Sequence, residues 1–109
     1  MGAKKMYEEL NESRMAALPG LYATLDVPFP ERFVQMHFFR ENGEWFAVEY
    51  DPEQRRFYGY IDVRPGAPHW GFFSLEEVLD CWIPSLCPET ELDWQPKKVK
   101  EIPSILGGE

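Results

Sequence analysis

The clearest alternation of apolar and polar positions lies in the middle of the chain. Phe33 to Arg40 and Trp45 to Asp51 flank Asn42-Gly43. Both turn residues tolerate the positive φ of a type I′ turn, so this stretch predicts a β-hairpin. A two-residue turn there sets Arg40 opposite Trp45, Phe39 opposite Phe46, His37 opposite Val48 and Gln35 opposite Tyr50. Val34, Met36 and Phe38 then share the other face with Trp45, Ala47 and Glu49, so His37 and Glu49 point to opposite sides. Asp51-Pro52-Glu53-Gln54 reads as a turn. Arg56 to Val63 reads as a third strand and, after a break at 64–68, Trp70 to Phe73 as a short fourth. Ser74-Leu75-Glu76-Glu77 has the form of a capping box, and Leu75, Val78, Leu79 and Trp82 keep helical spacing until Pro84.

Residues 3–18 predict a helix, divisible into two pieces. Met6, Tyr7 and Leu10 form one stripe; Asn11 caps a second piece carrying Met15 and Leu18, and Pro19-Gly20 ends it. Leu21 to Thr24 reads as extended, Pro28 and Pro30 as loop, Glu91 to Trp94 as an edge strand and Lys97 to Ile102 as a basic tail. The fold class is α+β. An antiparallel meander of three to five strands is flanked by an N-terminal helix and by a capped helix after the last main strand. Residues 1–109 form one domain: a helical N-terminus over 1–18, a sheet and helix core over 19–94, and a partly ordered tail over 95–109.

Composition fits that frame. The chain has 109 residues with 8 Phe, 5 Tyr and 4 Trp, enough aromatic area for a core despite 10 Pro and 8 Gly. No apolar run reaches the length of a membrane span, and Met1 to Leu10 lack a signal-peptide core, so a soluble cytoplasmic protein is expected. The formal charge is −8, and it is localised. Residues 1–40 balance, whereas Glu41, Glu44, Glu49, Asp51 and Glu53 form one window without a base. Glu76, Glu77, Asp80, Glu89, Glu91 and Asp93 form a second. Such a balance disfavours nucleic acid and anionic membranes, and favours a basic protein surface as partner.

Chemistry-bearing motifs are scarce. Cys81 and Cys87 are too few for a disulfide framework or zinc site, and His37 and His69 have no metal-ligand spacing, so no metal or cofactor is expected. No phosphate-binding glycine loop is present. Tyr58 and Tyr60 project from one strand face as stacking platforms do, yet the neighbouring acids outnumber Arg55, Arg56 and Arg64. A protein-binding surface remains, made from the two acidic windows with Trp70, Trp82 and Trp94 nearby. Core packing suits Trp45 and Trp82, leaving Trp70 and Trp94 as candidate anchors. The rival expectation is a small enzyme or ligand-binding domain with a pocket against the aromatic sheet, which a deep cavity lined by His37 or Asp62 would mark. A third is an accessory protein of plasmid maintenance.

The order of motifs also carries a resemblance. Leu18-Pro19-Gly20-Leu21-Tyr22-Ala23-Thr24 precedes an aromatic strand ending Phe38-Phe39. Asn42 to Tyr50, Phe57-Tyr58-Gly59-Tyr60, Gly71-Phe72-Phe73-Ser74-Leu75-Glu76-Glu77 and Glu89 to Trp94 follow. Across 18–103 the chain resembles a family of small uncharacterised bacterial proteins, a domain of unknown function common on plasmids, phages and integrative elements. Family members carry a longer, more acidic insertion between the second and third strands; here that turn is short. The resemblance implies no catalytic residues. It implies a mobile-element setting, in which small acidic proteins often block host defence nucleases. The resulting expectation is a non-enzymatic inhibitor of a CRISPR or restriction effector, bound through a nucleic-acid-mimicking acidic surface.

Overall fold

The computed structural model describes residues 13–41, 43–79, 89–90 and 94–106. Its centre is an antiparallel sheet in the order β5-β4-β3-β2-β6. These strands are β2 (Met36–Arg40), β3 (Gly43–Asp51), β4 (Arg56–Val63), β5 (His69–Ser74) and β6 (Glu89–Thr90). A separate two-stranded ladder joins β1 (Phe33–Val34) to β7 (Lys97–Lys98). With short helices at Leu75–Leu79 and Pro103–Leu106, the architecture is α+β.

The hairpin differs from the predicted one in register. Arg40 pairs with Gly43, and His37 lies opposite Phe46 rather than Val48. The reason is the use made of Gly43. A Cβ there would come within 2.8 Å of Val63 Cγ2 and 2.9 Å of Val63 Cα. The glycine therefore serves the close approach of β4, not the turn. The shift moves each partner by two residues, which preserves the faces.

Two irregularities do change the faces. The chain breaks at Gln35 between β1 and β2, and Val34 joins a different core cluster from Met36 and Phe38. In β3, Ala47 pairs with Gly59 but Glu49 with Tyr58, leaving Val48 as an extra residue in a β-bulge. Trp45 and Ala47 face one side. Beyond the bulge that side is taken by Tyr50, opposite Phe57, and Glu49 turns to the other, the side of His37 and Phe46. The predicted opposition of His37 and Glu49 is thus reversed. Gly59 permits the close approach: a Cβ at this position would lie 1.9 Å from the Phe46 carbonyl oxygen.

Both sheet faces are covered. Met36, Phe38, Trp45, Phe57 and Phe73 pack under Met15 and Leu18 and under Leu75 and Val78 of the first short helix. Residues 13–16 are helical, while the rest of the predicted N-terminal helix, with its Asn11 cap, lies outside the described residues. Ser74 Oγ accepts from the Glu77 amide at 2.9 Å, the N-cap half of the predicted box. On the opposite face, Val34, Phe46, Val48 and Tyr60 pack under Trp94, Val99, Ile102 and Ile105. The segment expected as a tail is therefore part of a core as far as Ile105, which is 1% exposed. Burying this much aromatic and aliphatic area supplies the main driving force for folding. Leu21 to Thr24 is not extended: amide bonds from Ala23 to Gly20 and from Leu25 to Tyr22 make it a succession of turns.

Candidate functional site

At the hairpin end of the sheet, His37, Phe39, Arg40, Glu41, Gly43, Glu44, Asp62 and Arg64 line a pocket of ≈ 480 Å³. Three neighbouring strands build it. Asp62 on β4 pairs with Glu44 on β3, and Glu44 with Phe39 on β2, so the three side chains stand in a row on one face. His37 lies one step inward, 9% exposed. Its ring is stacked on Phe46 at 4.5 Å and 10°, with Trp94 5.2 Å away. His37 Nε2 is 2.8 Å from Glu44 Oε1. An ionised carboxylate only accepts, so Nε2 carries the proton in this contact. The imidazole is fixed by aromatic packing on its faces and by a carboxylate at its edge, while Glu44 keeps a side chain 35% exposed toward the pocket. Arg40 and Arg64 also border the pocket, the Arg40 guanidinium lying over the Trp45 ring at 5.2 Å.

A second carboxylate on the same face serves a different end. Glu49, 3% exposed, accepts from the Tyr22 amide at 2.8 Å through Oε1 and from the Thr24 amide at 2.9 Å through Oε2. The Thr24 hydroxyl also donates to Oε2. Backbone donors converging on a carboxylate make strong, charge-assisted bonds. They hold Tyr22 at φ 70, a left-handed conformation that costs a non-glycine residue about 1–2 kcal/mol. The Tyr22 ring is consequently 60% exposed, edge-on to Phe72 at 6.1 Å. Tyr58 sits beneath, its rings stacked with Trp70 at 6.1 Å and edge-on to Phe72 at 5.2 Å. Burial raises the Tyr58 hydroxyl above the ordinary tyrosine pKa, with nearby Arg32 opposing the shift. Arg32 is itself buried, donating through Nε to the Val27 carbonyl at 2.7 Å.

The acidic windows are redistributed by the fold. β3 is nine residues long, which separates Glu41 and Glu44 at one end from Asp51 and Glu53 at the other by roughly 25 Å. Asp51 and Glu53 lie instead with Glu76 and Glu77. The Leu75 amide bonds the Arg55 carbonyl at 2.8 Å, and Arg55 is paired with Glu76 at 2.8 Å. Glu49 leaves the surface set altogether, because the bulge turns it under the 22–24 loop. Trp94 leaves it too: 9% exposed, it donates through Nε1 to the Val34 carbonyl at 2.9 Å and packs in the second core. Trp70 remains half-buried at the surface, 4.7 Å from Phe29. Glu89 belongs to β6, opposite Phe39. Asp80, Cys81, Trp82, Cys87, Glu91 and Asp93 lie outside the described residues.

Sequence reasoning named His37 and Asp62 as cavity markers but did not pair His37 with Glu44, because the assumed register set it opposite Val48. The inward glycine of Tyr58-Gly59-Tyr60 was the available signal for the bulge, since a lone glycine inside a strand marks such a site. Among the described residues, no group of three or more His, Cys, Asp and Glu side chains is placed to hold a metal ion. No helix among them is long and apolar enough to cross a membrane. The chain matches no family model, no curated protein and no solved structure.

Proposed function

We propose that the chain is a binding domain for a small cationic ligand, such as an organic ammonium or amidinium head group, held in the pocket at the hairpin end. One observation carries this reading. The buried His37 is locked to Glu44 at 2.8 Å in the wall of a ≈ 480 Å³ pocket to which Asp62 contributes a second carboxylate from the neighbouring strand. The volume falls in the range of roughly 300–1,000 Å³ used by small-molecule sites. Glu44 and Asp62 are direct cross-strand neighbours of like charge, an arrangement that repels until a cation enters between them. Phe39 offers a ring for the apolar part of such a ligand.

The test is a titration with putrescine and agmatine, followed by amide and imidazole NMR signals, against a neutral diol of similar length. Saturable shifts confined to His37, Glu44 and Asp62, and abolished in Asp62→Asn, support the reading. Shifts scattered over all acidic surfaces, or unchanged in Asp62→Asn, refute it.

A second reading keeps the acidic protein-interaction domain, in its sharpest form an inhibitor of a CRISPR or restriction effector of mobile-element origin. It is favoured by the gathering of Asp51, Glu53, Glu76 and Glu77 at the opposite end of the sheet. Reversing Asp51, Glu53 and Glu77 to Lys separates the two readings, since it leaves the pocket untouched and weakens capture by a basic effector, most at low salt.

A further inference from the structure

A row of aromatic rings runs along the Phe46 side of the sheet. Tyr58 pairs with Phe72 and Tyr60 with Trp70 across β4 and β5, so these side chains share one face. The segment before β1 adds a ring at each end: Tyr22 lies 6.1 Å from Phe72, and Phe29 4.7 Å from Trp70. Tyr58 joins the two halves, 5.2 Å from Phe72 and 6.1 Å from Trp70. Tyr22, Phe72 and Phe29 are 60%, 43% and 40% exposed. Their contacts are inclined rather than stacked, at 61° for Tyr22 on Phe72, 63° for Tyr58 on Phe72 and 48° for Phe29 on Trp70. The surface is therefore ridged, with slots between rings. The exposure of Tyr22 is held in place, because Glu49 fixes its left-handed backbone. The polar groups along the row are the tyrosine hydroxyls, Trp70 Nε1 and the Arg56 guanidinium, whose carbon is 5.5 Å from the Phe72 ring centre. The hydroxyls can donate, and the indole and guanidinium only donate.

We propose that this row docks a proline-rich segment of a partner protein, with basic residues at the end of the segment that lies beyond Phe72. Shape, hydrogen bonding and charge select this occupant. A proline-rich chain is already an extended polyproline helix, and aromatic-lined grooves take its rings at little entropic cost. Proline has no backbone N–H, so such a chain offers carbonyl acceptors, the complement of a row that carries donors. Charge sets the direction. Past Phe72 the row leads to Ser74, which pairs with Arg56, and Arg56 in turn pairs with Asp51. Asp51, Glu53, Glu76 and Glu77 gather at this end. The bases beside them are Arg55, paired with Glu76 at 2.8 Å, and Arg56, so carboxylates are in excess there. The net charge of −8 draws in a basic ligand. A polyproline helix advances about 3.1 Å per residue, close to a strand's about 3.3 Å. Basic residues about three to five positions beyond the proline at Phe72 therefore reach the carboxylates. The inference is independent of the pocket, and shares with the second reading above only the acidic turn end.

Fluorescence anisotropy on the full chain tests it with three labelled peptides. The first is an oligoproline headed by a pair of arginines, the second the same oligoproline headed by a pair of glutamates, and the third a glycine–serine chain of equal length headed by the arginines. The expected result is saturable binding of the first, roughly tenfold weaker binding of the second and none of the third. Phe72→Ser and Tyr22→Ala each raise the dissociation constant of the first about tenfold with an unchanged circular-dichroism spectrum, since both side chains are exposed. Leu25→Ala, at the 66% exposed Leu25 of the preceding loop, leaves it unchanged. Glu53→Lys with Glu77→Lys weakens the first peptide toward the level of the second. Equal binding of the glycine–serine peptide overturns the proposal, by showing that charge alone acts, and leaves the acidic surface of the second reading standing. Failure of the first peptide to saturate overturns it as well, as do equal affinities for the first two peptides or binding that survives both ring substitutions.

Discussion

Glu44 and Glu49 sit on one strand and one face of the sheet, yet they have opposite surroundings. Glu49 has both oxygens occupied by the 22–24 loop and is 3% exposed. Glu44 is bonded, among the described residues, to His37 and has a side chain 35% exposed toward a pocket. The first carboxylate is a structural fastener whose negative charge is consumed by donors the fold supplies. The second keeps acceptor capacity in reserve. In an acidic chain the informative residue is therefore not the acid in the densest window, but the one whose partners leave part of it unsatisfied.

The contrast depends on the bulge, and the largest expected effect comes from removing what permits it. Gly59→Ala drives a methyl group into the Phe46 carbonyl, at 1.9 Å before relaxation. The expected loss is about 3 kcal/mol, at the upper end for overpacking, measured by urea denaturation. A loss below about 1 kcal/mol would mean that β3 and β4 re-register easily and that the face of Glu49 is not fixed.

The next two changes compare the carboxylates directly. Glu49→Gln replaces one acceptor by a donor facing backbone amides, and is expected to cost about 2 kcal/mol and to speed proteolysis between 20 and 27. Glu44→Gln, partly exposed, is expected to change stability by no more than about 0.5 kcal/mol while shifting the imidazole signals of His37. Equal losses in the two variants would erase the distinction.

The smallest effect concerns a carboxylate that is neither clamp nor pocket. Lys100 and Lys98 hold Glu31 below the ordinary carboxylate pKa, at 2.8 and 3.0 Å. A lowered folded-state pKa gives a contribution that is complete above the unfolded value. It is lost as pH falls through the folded value. Glu31→Gln should therefore leave acid unfolding slightly less steep below the usual carboxylate range and leave neutral-pH melting almost unchanged. A large neutral-pH effect would give this exposed cluster a weight that such pairs rarely have.

How much of this was legible in the sequence follows from what each signal measures. Alternation located β3, β4 and β5 to within two residues at each end, because each buries at least one face. It could not see the bulge: one extra residue inverts every later face, and Val48 looks apolar in either frame. Asn42-Gly43 misplaced the turn because a glycine can serve a close approach as well as a positive φ, and nothing local distinguishes them. The tail was underestimated for a related reason. Val99, Ile102 and Ile105 are three residues apart, too few to read as a packed face until Trp94 and the sheet are seen beneath them. Trp70 packs partly buried against the second core, whereas Trp94 lost its surface role through a hydrogen bond to Val34, sixty residues away.

That long reach has a consequence for the order in which the molecule completes itself. The cover over Phe46, Val48 and Tyr60 comes from residues 94–106, and the ladder that anchors it joins Phe33 to Lys98. A chain emerging from the ribosome therefore has its hairpin and third strand available before the lid over one side exists. Until residues 94–106 arrive, that side is an apolar surface open to other nascent chains. Loss of residues 94–106 would leave much of the sheet's local pairing intact while exposing that apolar side to aggregation.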